Sequence, residues 1–261
     1  MTPESGFSLP HFSTDLRGQV ALVTGATSGL GWRFAEVLAA QGAAVAATGR
    51  RGDRLDALAA NIAKSGGSCL ALPLDVTRPD ALTEAVGTIE ATLGTVSILV
   101  NNAAIPDAQY ATKMSTELVD RVIATNLRAP FLLSSAVARR LIAQKLPGRI
   151  VNVSSMGAHH YRGEGASLYS TTKAALERMT ETLAVEWAQF HINVNAIAPG
   201  AFATEMLEDM IQRHGEVSSG FPRDRLGDPA QLDSTLLYLV SPSSEFVTGT
   251  IVKVDDGQNP R

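Results

Sequence analysis

The sequence predicts an α/β fold, with one doubly wound parallel sheet of about seven strands and helices on both faces. Three observations carry this. Short apolar, β-branched runs alternate with helical patterns along nearly the whole chain, the order that builds a parallel sheet through right-handed crossovers. A glycine-rich turn joins the first run to the first helical pattern. The polar motifs fall at the carboxyl ends of predicted strands, where open α/β sheets bind ligands.

Residues 19–24, Gln-Val-Ala-Leu-Val-Thr, form a first buried strand, because a short apolar run with β-branched residues suits a sheet interior. Residues 32–41 have helical spacing, and Gly42 offers a stop. A second strand covers 43–48. A helix at 54–64 is broken by Gly66-Gly67, and 69–74 is a third strand. Pro79 stands where a helix over 80–93 would begin, since the first turn needs no N–H from it. Residues 97–100 are a fourth strand. One long helical pattern covers 116–144, with a kink expected at Pro130. Residues 149–153 form a fifth strand, 167–190 a second long helix and 192–197 a sixth strand. A helix at 230–240 and a strand at 250–254 complete the series. Residues 1–15 are mixed and polar, with Pro3 and Pro10, and read as an arm before a single domain at 16–261.

Residues 202–225 read either as a lid or as a plain amphipathic surface helix. Phe202, Met206, Leu207, Met210 and Ile211 are apolar, and Gly215 and Gly220 are hinge candidates. Methionines suit an adaptable, mainly apolar pocket.

Composition narrows the function class. The chain has 261 residues, 45% of them hydrophobic, and a net charge of −4. That is globular and gives no nucleic-acid footprint. No apolar run reaches bilayer length, and the start lacks a signal-peptide pattern. Cys69 is the single cysteine, so no internal disulfide is possible and a cytoplasmic location is the default. Cys69 itself reads as a small core or edge residue. His159 and His160 are adjacent, but no acid or cysteine completes a metal site at a recognised spacing.

Two motifs carry chemistry. Gly25, Gly29 and Gly31 lie in Thr-Gly-Ala-Thr-Ser-Gly-Leu-Gly (24–31), between a strand and a helix. Glycines let the backbone approach a pyrophosphate, and a helix N-terminus presents free N–H groups to it. The spacing Gly-x-x-x-Gly-x-Gly differs from the standard dinucleotide fingerprint. Tyr169 and Lys173 stand four residues apart, hence on one helix face. A free phenol titrates near ~10. An adjacent ammonium lowers that value, making the pair a candidate acid/base device at oxygen.

With these two motifs stand Asp75-Val76, Asn-Asn-Ala-Ala (101–104), Asn126, Val-Asn-Val-Ser-Ser (151–155), and Pro199-Gly200 followed by Thr204. In this order the chain resembles the classical short-chain dehydrogenase/reductases, a Rossmann-like family, from about residue 16 to about 257. Within that family it is similar to 3-oxoacyl-carrier-protein reductases and carbonyl reductases. The resemblance implies hydride transfer between a nicotinamide cofactor and a small-molecule ketone or secondary alcohol. Tyr169 would move the proton at oxygen. Lys173 would lower the tyrosine pKa and hold the nicotinamide ribose. Ser155 would hydrogen-bond the substrate oxygen, and Asn126 would support a water beside the lysine. Gly25, Thr27, Ser28, Gly29, Leu30 and Gly31 would hold the cofactor phosphates. Asp75 and Val76 would hold the adenine, or Asp75 would be a turn cap. Asn102, Ala103 and Ala104 would lie against the cofactor with Tyr169 and Lys173, and Pro199, Gly200 and Thr204 would close over the nicotinamide.

Cofactor choice is read after the second strand. Gly49 stands where NAD-preferring relatives often carry Asp, and Arg50 and Arg51 follow. A guanidinium binds phosphate through a planar fork. NADP(H) is therefore the expected cofactor, with NAD(H) possible; the alternative is that both arginines are merely solvated.

Three positions depart from the family pattern. Ala104 replaces a glycine, which a negative φ would tolerate. Asp256 replaces another, with an effect expected only in the last turn. Ser155 precedes Tyr169 by fourteen positions, one more than the commonest family spacing, so the loop 156–166 holds an extra residue. There His159, His160, Tyr161 and Arg162 would meet a polar or anionic substrate, or form a plain loop or a subunit contact. Substrate alternatives are a 3-oxoacyl thioester and a hydroxysteroid-type alcohol; the non-enzyme alternative is a cofactor-binding regulator. Leu127, Phe131, Leu183 and Trp187 on the long helices suggest a homotetramer or homodimer, as in similar family members.

Overall fold

Alternate residues of each strand face opposite helical layers. In β1 (Val20–Thr24), Ala21 and Val23 join one apolar cluster, while Val20 and Leu22 join another. The computed structural model describes residues 10–161, 163, 165–215 and 218–259. Within these, β2 (Ala44–Gly49), β3 (Ser68–Pro73), β4 (Val96–Asn101), β5 (Gly148–Val153), β6 (Ile192–Pro199) and β7 (Ile251–Val254) complete a seven-stranded sheet. Its order is β3-β2-β1-β4-β5-β6-β7, and every pairing is parallel. The order reverses between β1 and β4, which opens a crevice at their carboxyl ends.

One layer holds α1 (Gly29–Ala40), α2 (Gly52–Lys64) and α8 (Asp233–Val240), packed through Phe34, Leu38, Leu55, Leu58 and Leu236. The other holds α3 (Pro79–Leu93), α5 (Ala129–Gln144) and α6 (Ser167–Trp187), packed through Leu82, Ile89, Leu133, Leu141, Leu176 and Leu183. Two further helices, α4 (Thr116–Ile123) and α7 (Glu205–His214), stand by the crevice. Leu183 and Trp187 thus belong to the chain's own core rather than to a free helix face, whereas Phe131 is exposed.

Some elements differ from the expected bounds. α1 starts at Gly29, so Gly29 and Gly31 form its first turn. The pattern 116–144 is not one kinked helix. A wide π-type turn, Ala124–Arg128, separates α4 from α5. Pro130 lies in the first turn of α5 and cannot donate to the carbonyl four residues back, at Asn126. The distortion therefore falls one turn before the proline. Cys69 lies on the edge strand β3, and burial pushes its thiol up to about 11, consistent with a packing role.

A buried polar chain crosses the centre of the sheet. Asn101 Nδ2 donates to Asn152 Oδ1 (2.8 Å) and to Ser134 Oγ (3.0 Å). Asn152 Nδ2 donates to Thr180 Oγ1 (2.8 Å). These bonds tie β4 and β5 to α5 and α6. Asn152→Ala would leave part of the chain unpaired, so urea unfolding should show a loss of about 1–3 kcal/mol.

Candidate active site

The carboxyl ends of β1, β4, β5 and β6 open into a cleft of about 1530 Å³. Its floor begins at the glycine turn. Gly25 has φ +67°, and a Cβ there would lie 2.8 Å from the Ala103 Cα. A Cβ at Gly31 would overlap the Gly25 carbonyl oxygen and Asn102 Nδ2. Asn102 Nδ2 donates to the carbonyls of Thr24 (2.9 Å) and Gly25 (3.1 Å). Thr24 Oγ1 accepts from the N–H groups of Asn102 (3.0 Å) and Ala103 (3.1 Å). The turn is thereby fastened to the end of β4. Ser28 does not cap α1 with its side chain, so the helix N–H groups face the cleft, as a pyrophosphate requires.

Thr27, Ser28, Gly29 and Leu30 line the cleft; Gly31 is buried behind it and acts through packing. Ala103 and Ala104 line it too, and Ala104 keeps a negative φ. Asp75 and Val76 stand at its far wall. The Asp75 carboxylate accepts from Thr77 N (2.9 Å) and Thr77 Oγ1 (2.8 Å), and the Thr77 backbone bond leads the causes that lower its pKa. Asp75 is thus a turn cap that also faces the cleft. Arg50 and Arg51 are exposed at the same wall.

The helix carrying Tyr169 and Lys173 has no cap of its own, because Ala166 precedes it. Asp107, buried in the loop after β4, supplies one. Its Oδ2 accepts from the N–H groups of Leu168 (2.8 Å) and Tyr169 (3.1 Å), and its Oδ1 from that of Ala108 (2.8 Å). Sequence reasoning missed Asp107. The available signal was the missing Ser, Thr, Asp or Asn at position 166, which calls for a cap from elsewhere.

Lys173 is buried, and its Nζ lies 5.5 Å from the Tyr169 ring centroid and donates to the Val153 carbonyl (2.6 Å). Burial lowers its pKa to about 8, opposed by the Glu177 carboxylate. Tyr169 keeps part of its surface at the cleft, yet desolvation raises its pKa. The Ser155 hydroxyl opposes that rise through hydrogen bonding, and Asp107 adds to it. The direction is thus set by burial, and the expected lowering by Lys173 does not figure among its causes.

Ser155 lines the cleft, and its Oγ accepts from Gly157 N (3.0 Å). Ser154 also borders the cleft, but its hydroxyl is committed to Glu177 Oε1 (2.7 Å), to which it donates. Asn126 lies in the wide turn beneath the site. Its Oδ1 accepts from Ile105 N (2.9 Å), and its Nδ2 donates to Ile105 O (2.9 Å) and Thr172 Oγ1 (3.2 Å). It joins the loop after β4 to α6.

In the 156–166 loop, His160 and Tyr161 reach the cleft, while His159 Nε2 contacts Glu177 Oε1 (3.1 Å) outside it. Arg162 lies outside the described residues. Pro199, Gly200 and Thr204 close one side, and Thr204 Oγ1 caps α7 through Leu207 N. Phe202, Met206, Leu207 and Met210 add an apolar wall. Asp256 reaches further than the last turn. Its carboxylate holds Arg225 Nε (2.7 Å) and Arg223 Nη1 (3.0 Å), fastening the segment that returns from α7. Among the described residues, no group of three or more His, Cys, Asp or Glu side chains is arranged to hold a metal ion.

One cleft joins the glycine turn to the tyrosine–lysine pair, and a family model described as Enoyl-(Acyl carrier protein) reductase matches residues 25–259. The chain is a short-chain dehydrogenase/reductase. It is 34% identical over 245 residues to the gluconate 5-dehydrogenase of Gluconobacter oxydans, covering 93% of this chain and 95% of that one. A short-chain type dehydrogenase/reductase from Mycobacterium marinum superposes with a TM-score of 0.91 at 36% identity, covering 95% and 98% of the two chains. A 3-oxoacyl (acyl-carrier-protein) reductase from Agrobacterium tumefaciens, solved with NADP bound, gives a TM-score of 0.86 at 28% identity, covering 94% and 95%.

This short-chain dehydrogenase/reductase is an oxidoreductase that acts between ketones and secondary alcohols with a nicotinamide cofactor. The nicotinamide, when bound, supplies or takes the hydride. Among the described residues no helix is long and apolar enough to cross a membrane.

The buried lysine gives a pH signature. Unfolded, Lys173 holds its proton up to 10.5; folded, it releases it at about 8. Between these values the unfolded state binds more protons, so stability rises with pH. The difference in unfolding free energy between the parent and Lys173→Met should therefore shift in the parent's favour from pH 8 to 10. A difference that stays flat across that range would remove the assignment.

Proposed function

We propose that this enzyme interconverts a medium-sized ketone and its secondary alcohol with NADP(H) as preferred cofactor, Tyr169 acting as acid and base. The observation that carries the reading is the convergence of the glycine turn, Ser155, Tyr169 and Lys173 on one cleft. Tyr169 gives its proton to the carbonyl oxygen in reduction and takes it back in oxidation. Ser155 holds that oxygen and stabilises developing charge. Lys173 holds the nicotinamide ribose and, by its charge, favours the phenolate as the proton leaves. Asn126 acts beneath, keeping the wide turn and α6 in register. Gly25, Thr27, Ser28, Gly29 and Leu30 hold the phosphates, with Gly31 behind them. Asp75 and Val76 flank the adenine, Asn102, Ala103 and Ala104 line the cofactor's path, and Pro199, Gly200 and Thr204 close over the nicotinamide.

Preference for NADP(H) is supported by Gly49, which leaves no acid to repel a 2′-phosphate, and by Arg50 and Arg51 at the same wall. The NADP-bound relative supports use of the phosphorylated cofactor. Residues 16–261 act as one domain with 202–225 as a lid, and the single cysteine favours a cytoplasmic enzyme. The likeness to a 3-oxoacyl reductase favours a 3-oxoacyl thioester as the second substrate reading.

NADPH oxidation across a panel of cyclic, steroidal and small ketones and 3-oxoacyl thioesters tests the reaction. Turnover by the parent should fall about 10²–10⁴-fold in Tyr169→Phe. No turnover with NADPH binding intact would favour a cofactor-binding regulator. Arg50→Ala should lower the NADPH/NADH preference, and an unchanged ratio would defeat its role. Phe131 and Val185 are exposed on α5 and α6, which supports a homodimer or homotetramer; sedimentation showing only monomer at micromolar concentration would overturn that.

A further inference from the structure

The nucleotide wall already contains an anion. Arg51 Nη2 lies 2.9 Å from Glu205 Oε2, and its Nη1 lies 3.5 Å from Glu205 Oε1. The same guanidinium donates to Thr27 Oγ1 from Nε (3.2 Å) and Nη2 (3.0 Å). Arg51 thus spends its planar fork on one internal carboxylate and one hydroxyl of the phosphate turn. Glu205 also hydrogen-bonds the Ser28 side chain, and the charges of Arg51 and Arg54 help to hold it ionised. Its carboxylate therefore lies between the phosphate turn and the residues that follow β2. It is the first residue of α7, and the preceding Thr204 packs its methyl against Gly29.

We propose that Glu205 is a specificity-determining residue that competes with the cofactor's 2′-phosphate for Arg51. The inference rests on the NADP(H) reading above. A phosphate dianion offers more charge and more acceptor oxygens than a carboxylate, so it displaces Glu205 from the fork. A 2′-hydroxyl cannot, so NADH leaves the pair intact. Arg51 and Glu205 side chains are 46% and 48% exposed, so the competition is modest, about two- to five-fold in affinity. Low ionic strength enlarges it. Because Glu205 opens α7, the exchange also releases the front of the lid that carries Met206 and Met210.

Nucleotide fluorescence titrations of the parent, Glu205→Gln, Arg51→Ala and the double variant test this, with melting temperatures as folding controls. Glu205→Gln should tighten NADPH about two- to five-fold and leave NADH unchanged. In the Arg51→Ala background the same substitution should have no effect, since the cycle isolates the coupling. A parent that prefers NADPH, with Glu205→Gln unchanged or tightening both nucleotides equally, overturns the inference alone. A parent that binds NADH more tightly than NADPH overturns the cofactor reading and the inference together.

Discussion

Gly31 meets the Gly25 carbonyl and the Asn102 amide with no space for a methyl group, and the cleft is built outward from that contact. It lets α1 begin directly against the end of β4. The Asn102 side chain and the Thr24 hydroxyl then lock the ends of β1 and β4 together. These strands flank the reversal in sheet order. The glycine turn and the start of the loop after β4 are therefore one rigid piece. A side chain at position 31 would push the helix off the strand and open the turn.

Tyr169 and Lys173 are held by burial and by hydrogen bonds to their surroundings. Lys173 spends one donor on the Val153 carbonyl at 2.6 Å, fixing the ammonium against β5. Burial of both groups disfavours both charged forms, so the tyrosine goes up and the lysine goes down. Asp107 has two effects on this pair. It satisfies two N–H groups at the start of α6, which sets the height of Tyr169 in the cleft. It also places a negative charge near the phenol, which raises the cost of phenolate. The positional benefit and the electrostatic cost come from the same carboxylate.

The layered fold was legible because periodicity reports which face of a local element is buried. The parallel sheet with helices on both faces follows from that, whereas the strand order rests on long-range pairings no local pattern states. The start of α1 was not legible, because Gly29 and Gly31 carry no apolar pattern even though they are helical. The distortion in the 116–144 pattern was legible only as a kink at Pro130, not as a wide turn at Ala124–Arg128, since those residues keep helical composition; the turn's cause lies in Pro130 and in the bond from Asn126 to the Ile105 carbonyl. Asp107, Glu205 and Asp256 were invisible for a different reason. Their partners stand 61, 154 and 31 residues away, and no local pattern states which distant loop docks where. The alternatives left open for His159 are decided by a distant residue in the same way: its partner Glu177 lies on α6, away from the cleft.

The bonds that hold the cleft floor differ in kind from those that hold the segment bearing α7. Asn126, Asp107, Lys173 and the Asn101–Asn152–Thr180 chain are buried and hydrogen-bonded. Breaking any of them leaves a polar group without water, at a cost of about 1–3 kcal/mol. The segment bearing α7 is fastened at its front by Arg51–Glu205 and at its return by Arg223 and Arg225 on Asp256, all solvent-facing pairs. Such pairs contribute little to stability and exchange readily with other ions. Between them the helix presents Met206, Leu207 and Met210 to the cleft. The chain thus keeps Tyr169 and Lys173 in fixed positions and holds the apolar side of α7 on contacts that open at low cost.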